Sequence, residues 1–513
     1  MKKIKRHEKQ KLHPLMSYVL LIIIVIILSG FLNILDVQST FYKINSNNLN
    51  LVPETEIVNS LFSLRGIKYI FTNTVSNFAN FAVLSNLIII LMGIGIMDKS
   101  GFLQTAITLT TKKLKKKTVT FIFVLCCVLA SIFGDLSYIV FIPLGALLFY
   151  YGKRNPAIGI ISSFAALSCG SALNIFFTSS DSSLLNYTLL AAHTVNSGYI
   201  LTNLVFVFIM SVAVLLISYI ITIVTESILV RNLPKYEFSE SELEEDIVTK
   251  SEKKGMIYAC SSACIYLVIF VYNIIPGLPF SGSLLDNSQI NYIDKLFSVN
   301  SFFSNGFVFI LTILFIILGL FYGIGSKSIK NNKDFCDSLG HSLDGIGNVL
   351  VMIFFASTFI SIFKQTNIGN VLVASIGNII STSNFNGLAL IILTFVLVAI
   401  STILVPSSSL KWYILSSSVV PTMMNAGMTP EFAQIIFRFA ETVTMNITPL
   451  LAYFIIYLAF LEKYNQSDKK IRLFESIKYQ FPYTLIVSFA LIILIVIWYI
   501  IGIPLGINSF PTI

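Results

Sequence analysis

Residues 118–151 read TVTFIFVLCCVLASIFGDLSYIVFIPLGALLFYY. Lys115, Lys116 and Lys117 precede them, and Lys153 and Arg154 follow. The stretch is apolar almost throughout, with Gly134-Asp135-Leu136-Ser137 at its centre. One membrane crossing takes about 20 apolar residues. The stretch is too long for one crossing and, cut at its centre, leaves two arms too short for two. Loops rich in Lys and Arg mark the cytoplasmic side of a membrane. Both ends therefore face the same side, and the segment enters, turns at Gly134-Asp135 and returns. Non-helical backbone at that depth needs burial in protein or contact with a water-filled cavity. The expectation is a re-entrant hairpin, and with it an all-α polytopic membrane protein.

Composition supports this. Of 513 residues, 55% are hydrophobic and 12% charged, about half the charged share of a soluble domain. Lipid must cover most of the exterior. The net charge of +9 does not indicate nucleic acid, because the basic residues gather between apolar runs: Lys2, Lys3, Lys5 and Arg6; Lys112–Lys117; Lys327, Lys330 and Lys333; Lys469, Lys470 and Arg472. The six cysteines form no CxxC pair, and the four histidines no HExxH site, so neither a disulfide framework nor a metal cofactor follows. The run Tyr18–Ile34 is longer than a signal-peptide core and reads as a retained first helix with a cytoplasmic N-terminus.

The chain divides into a first membrane half (1–230), a charged cytoplasmic linker (231–255) containing Glu240, Glu242, Glu244, Glu245 and Asp246, and a second half (256–513). Helices are expected near 16–36, 78–97, 200–226, 256–276, 303–325, 342–364 and 479–500, and 37–75 as a polar external stretch. Broken helices fall at 157–192 and 430–460, and a second hairpin at 386–424. The order helix, hairpin, broken helix, helix occurs at 78–226 and again at 342–500. The first copy starts outside and the second inside. Inverted repeats with interrupted helices in matching places point to a transporter's midplane site.

Polar groups at that depth need a partner or a task. Asp181 reads either as a proton or sodium carrier or as the cap of a helix starting at Ser182. Asp135 carries the same ambiguity at the first tip, and Asn174 reads as a ligand or as a partner for broken backbone. Ser407, Ser408 and Ser409 at the second tip suit a substrate carboxylate. Lys411 would neutralise such a group or snorkel to the interface; Trp412 would stack on an aromatic cargo or anchor at the interface. Arg438 and Glu441 share a helix face, as a structural ion pair or as carboxylate clamp and proton carrier. Thr444, Asn446 and Thr448 line the second break as candidate ion-coupling groups, with proton or sodium as the coupling ion.

Gly134–Leu144, Gly170–Asp181, Ser407–Trp412, the run from Pro430-Glu431 to Thr448-Pro449-Leu450, Gly93-Ile94-Gly95 and Asp98–Gly101 together resemble the AbgT family, the p-aminobenzoyl-glutamate transporters. The resemblance covers essentially the whole membrane domain. It implies nine transmembrane helices, two re-entrant hairpins and a homodimer. It also implies an aromatic carboxylate substrate or, in members linked to drug export, sulfonamide-type antimetabolites, moved by an ion gradient. Asn174, Asp181, Ser409, Trp412 and Arg438 match family site positions. The chain departs from the pattern at Pro406 (usually Gly), Glu441 (usually Asp), Met445 and Thr402 (both Asn in the family). An intramembrane hydrolase using Ser409 and Lys411 is the reading of another class. It leaves a second, matched hairpin without a purpose.

Overall fold

Residues 14–45, 49–175, 178–201, 205–239, 248–298, 300–467 and 470–513 are described by a computed structural model of the chain. Lys2, Lys3, Lys5, Arg6, the linker carboxylates Glu240–Asp246 and Lys469 lie outside the described residues.

In the first half, α1 (Pro14–Ile34) leads into an antiparallel pair, β1 (Gln38–Ile44) and β2 (Leu51–Ile57). Next come α2 (Leu64–Ala79), α3 (Ala82–Lys99) and α4 (Phe102–Thr111). The hairpin is α5 (Lys116–Ala130), a 3-10 turn at Ser131–Phe133, and α6 (Leu136–Tyr151). The broken helix is α7 (Pro156–Cys169) and α8 (Ser179–His193). α9 (Val207–Val224) follows, prolonged by a π turn at Thr225–Leu229.

The second half holds α10 (Lys250–Ile274), α11 (Tyr292–Phe297), α12 (Phe302–Ser326), α13 (Asn332–Gly340), α14 (Gly347–Thr366) and α15 (Ile368–Thr382). Its hairpin is α16 (Gly387–Leu404) and α17 (Ser408–Asn425). Its broken helix is α18 (Pro430–Thr442) and α19 (Phe454–Lys463), and α20 (Leu473–Ile501) closes the chain.

Three departures from the sequence reading have physical causes. Residues 37–75 are a β-hairpin and most of a helix, not a featureless polar stretch. Thr40, Phe41, Tyr42 and Ile44, facing Val52, Thr55 and Ile57, favour the strands, and Ser63, accepting from the Gly66 amide at 3.1 Å, starts α2. The polar face of α2, with Arg65, Lys68 and Asn73, concealed it from a hydropathy reading. α15 was not anticipated either; it is the counterpart of α4. The hairpin arms form the third departure. Lys116–Phe133 and Gly387–Leu404 are each 18 residues long and apolar enough to cross a membrane. At 1.5 Å per residue they reach about 27 Å, against a hydrocarbon core of about 30 Å. Among the described residues nine segments meet that test. The number matches the expectation but the membership differs: the two first arms count, and the broken helices, in pieces of 14, 15, 13 and 10 residues, do not.

The contacts carry the repeat. The series α3 to α9 corresponds in order to α14 to α20. Each hairpin's second arm packs on the far half of the other copy's broken helix: α6 on α19, and α17 on α8. The near halves do likewise, α7 on α19 and α18 on α8, and α9 meets α20. This reciprocal exchange interlocks the hairpins and broken helices of the two copies.

Candidate functional site

Matched sequence signals start the two broken helices. Asn155 caps α7, accepting from the Ala157 amide at 2.9 Å, with Pro156 at the first helical position. Thr429 caps α18, accepting from the Phe432 amide at 3.3 Å, with Pro430 in the same place. Proline suits that position because its missing N–H would have no intrahelical partner. The breaks are then tied to the first arm of their own hairpin. The Ser131 hydroxyl donates to the Asn174 side-chain oxygen at 2.7 Å. In the second copy Thr444 donates to the Ala399 carbonyl at 2.7 Å and Thr448 to the Ile403 carbonyl at 2.5 Å. Asn446 accepts from Thr484 at 2.7 Å and donates to Gln480. These break residues therefore satisfy polar groups of neighbouring helices.

The second tip leads into a chain of four buried charges. Arg438 places one guanidinium nitrogen 2.8 Å from Asp181 Oδ1 and another 3.3 Å from Glu441 Oε1. Glu441 Oε2 lies 3.2 Å from Lys411 Nζ, which also donates to Thr402 Oγ1 at 2.6 Å. Lys411 and Glu441 are fully buried, Arg438 and Asp181 nearly so. Two cations face two carboxylates, so the set is neutral. Neutrality is what permits burial, since removing one partner of such a pair costs about 3–5 kcal/mol.

Asp181 helps to start its helix, though not as the cap expected for a helix beginning at Ser182. The helix starts at Ser179, not Ser182; Thr178 is the cap and Asp181 the third residue of a reciprocal capping box. Its Oδ2 accepts from the Thr178 hydroxyl at 2.6 Å and amide at 3.0 Å, leaving Oδ1 for Arg438. One carboxylate thus joins the helix start to the charge chain.

Trp412 is fully buried and packs against Phe437, the rings tilted by 34° with centroids 4.5 Å apart. Its indole N–H donates to Thr188 at 2.8 Å, and Thr188 donates to the Gln434 side-chain oxygen at 2.5 Å. Trp412 is therefore an interior residue, not an interfacial anchor. Gln434 and Arg438 are four apart on α18 and share a face. Among the described residues, Arg438 Nε and Gln434 Nε2 are buried donors without an acceptor. An unmet buried donor costs about 1–3 kcal/mol.

At the tip itself, Ser407 caps α17 without a side-chain bond, Ser407 and Ser409 are exposed and Ser408 is half-buried. Lys411 is engaged with Glu441 and Thr402 rather than with a serine. The first tip is different. Gly134 takes φ +57° to make the turn, Asp135 is exposed and pairs with the Tyr453 side chain, and Tyr138 stacks on Tyr453 at 5.2 Å. Close packing secures this half: at Gly159 an added Cβ would collide with the Gly145 carbonyl.

Of the sequence-selected residues, Asp181, Lys411, Trp412, Arg438 and Glu441 meet in one cluster, with the serines at its edge. Asp135 belongs to the other hairpin, Asn174 to the first break, where it is bonded to that hairpin through Ser131, and Thr444, Asn446 and Thr448 to the supporting bonds. Thr178, Thr188, Gln434 and Phe437 were missed as site members, and Thr402 was noted only as a departure from the family pattern. Gln434 alone had a local signal, one helical turn before Arg438.

Fold and site together define a polytopic α-helical transport protein built on two hairpins and two broken helices. The family model described as the AbgT putative transporter family matches residues 1–513, and the chain belongs to that family. It is a transporter, not a hydrolase. A relative from Escherichia coli (strain K12), the p-aminobenzoyl-glutamate transport protein, is 23% identical over 499 residues, covering 97% of this chain and 94% of the relative. Two solved structures are also similar. The YdaH transporter of Alcanivorax borkumensis, described as having an unusual topology, is 25% identical over 96% of this chain and 100% of that one, with a TM-score of 0.48. MtrF of Neisseria gonorrhoeae, described as illuminating a class of antimetabolite efflux pumps, is 27% identical over 98% of each chain, with a TM-score of 0.48.

Proposed function

We propose that the chain is a proton-coupled secondary transporter of an aromatic carboxylate of the p-aminobenzoyl-glutamate type. It acts in the cytoplasmic membrane as a homodimer, with its N-terminus cytoplasmic, both hairpins re-entrant and the two repeats in opposite orientation. The observation that carries this reading is the pair of buried donors without acceptors, Arg438 Nε and Gln434 Nε2, on one face of α18. A substrate carboxylate or amide oxygen supplies acceptors for them. Trp412, packed against Phe437 and bonded through Thr188 to Gln434, offers an aromatic surface beside them.

Neutrality supplies the coupling. The cluster holds two positive and two negative side chains. A substrate carboxylate at Arg438 adds a buried negative charge with no partner, at a cost of several kcal/mol. Protonating Asp181 or Glu441 removes that charge and frees Arg438 to bind the substrate bidentately. Substrate and proton then enter the site together.

Counterflow in proteoliposomes tests the substrate assignment. Labelled p-aminobenzoyl-glutamate should exchange saturably against internal unlabelled substrate, and Arg438→Ala should abolish the exchange. Equal flux in protein-free liposomes would overturn it.

A further inference from the structure

A cavity of about 220 Å³ lies at the base of the first hairpin, between the α4–α5 turn and the end of α6. Lys112, Lys116 and Arg154 line it together with Leu114, Val119 and Phe149, and none of its lining residues is acidic. Lys112 and Lys116 are exposed. Arg154 is fixed in place: it pairs with Glu226 at 2.7 Å, donates to Thr120 at 2.9 Å and lies over the Phe149 ring at 4.7 Å.

We propose that this cavity binds the headgroup of an anionic phospholipid. With Arg154 already matched by Glu226, Lys112 and Lys116 supply the charge complement for a phosphate. Basic pockets at the ends of membrane helices hold acidic headgroups in this way. A free phosphate would use only the cations. Val119, which lines the cavity, also begins an apolar stripe along α5 suited to an acyl chain. Val119, Ile122, Cys126 and Leu129 recur at spacings of three and four on α5, one helix face. Ile122 is 44% and Leu129 38% exposed, and Cys126 is exposed as well. The headgroup would sit in the cationic mouth and an acyl chain along that stripe. Because Lys116 and Val119 belong to the first arm and Phe149 to the second, the lipid would brace the hairpin at its base.

The test uses the full-length protein, delipidated in an uncharged detergent. Native mass spectrometry reads retained lipid, and thermal melting reads stabilisation. Phosphatidylglycerol should bind and stabilise, and phosphatidylcholine should not. Lys112→Gln with Lys116→Gln should weaken phosphatidylglycerol retention roughly tenfold or more, given the contribution of each basic side chain near an acidic lipid. Lys330→Gln with Lys333→Gln, the same charge change elsewhere, should leave it within about twofold. Melting of both variants without lipid should match the parent, showing that the fold is intact. Three results would overturn the proposal: equal loss in both pairs, no preference for phosphatidylglycerol, or equal stabilisation by soluble glycerol phosphate. The last would assign the site to a free phosphate.

Discussion

The two hairpins occupy corresponding places, yet their tips are built from different chemistry. At the first, Gly134 makes the turn, Asp135 stays exposed, and aromatic stacking of Tyr138 on Tyr453 joins the tip to α19. At the second, Lys411 and Trp412 are fully buried, and a chain of four charges reaches across to Asp181 in the other repeat. The difference teaches that a symmetric scaffold need not carry symmetric function. One hairpin is held by packing, the other by a buried chain of charges.

Arg438→Ala should break the second region most severely. It leaves Asp181 and Glu441 buried with too little positive charge, costs about 3–5 kcal/mol, and should reduce counterflow to background. Arg438→Lys should recover much of the melting temperature but little of the flux, because an ammonium lacks the planar fork. Lys411→Met should cost a comparable 3–5 kcal/mol in detergent melting. Adding Glu441→Leu should reverse part of that loss, since the two charges are then removed together. Purely additive losses would show that the pair does not couple.

The first region should respond to volume instead. Gly159→Ala drives a methyl group into the Gly145 carbonyl and should lower stability by about 1–3 kcal/mol, read as a melting shift. Trp412→Phe keeps a ring on Phe437 but loses the bond to Thr188. It should cost about 1 kcal/mol of stability and raise KM for the substrate several-fold. The smallest effect belongs to Asp135→Asn, which should leave counterflow within about twofold. Abolished flux in that variant would make the first tip an ion site and end the contrast between the hairpins.

What the sequence made legible follows from which forces are local. The hairpins and broken helices were visible because polar residues at bilayer depth are conspicuous: Gly134-Asp135, Ser407–Ser409, and the Thr444–Thr448 run. The Arg438–Glu441 pair was visible because three residues on a helix share a face. The reach of Arg438 to Asp181, 257 residues away, was not, since nothing local encodes it. Thr188 and Thr402 are ordinary threonines until Trp412 and Lys411 arrive from another element. α2 and the β-hairpin escaped because a hydropathy reading sees only apolar length. The capping role of Asp181 was legible in part, but its second oxygen meets Arg438 from a distant element, which nothing local encodes.

The account rests on a substrate anion and a proton sharing one neutral cluster. Its most direct test is uptake of labelled p-aminobenzoyl-glutamate into proteoliposomes in sodium-free buffer with an imposed pH gradient. An inward proton gradient should drive accumulation well above the equilibrated level, abolished by a protonophore and by Arg438→Ala. Uptake that ignores the pH gradient and follows sodium, or that needs an outward proton gradient, would contradict it.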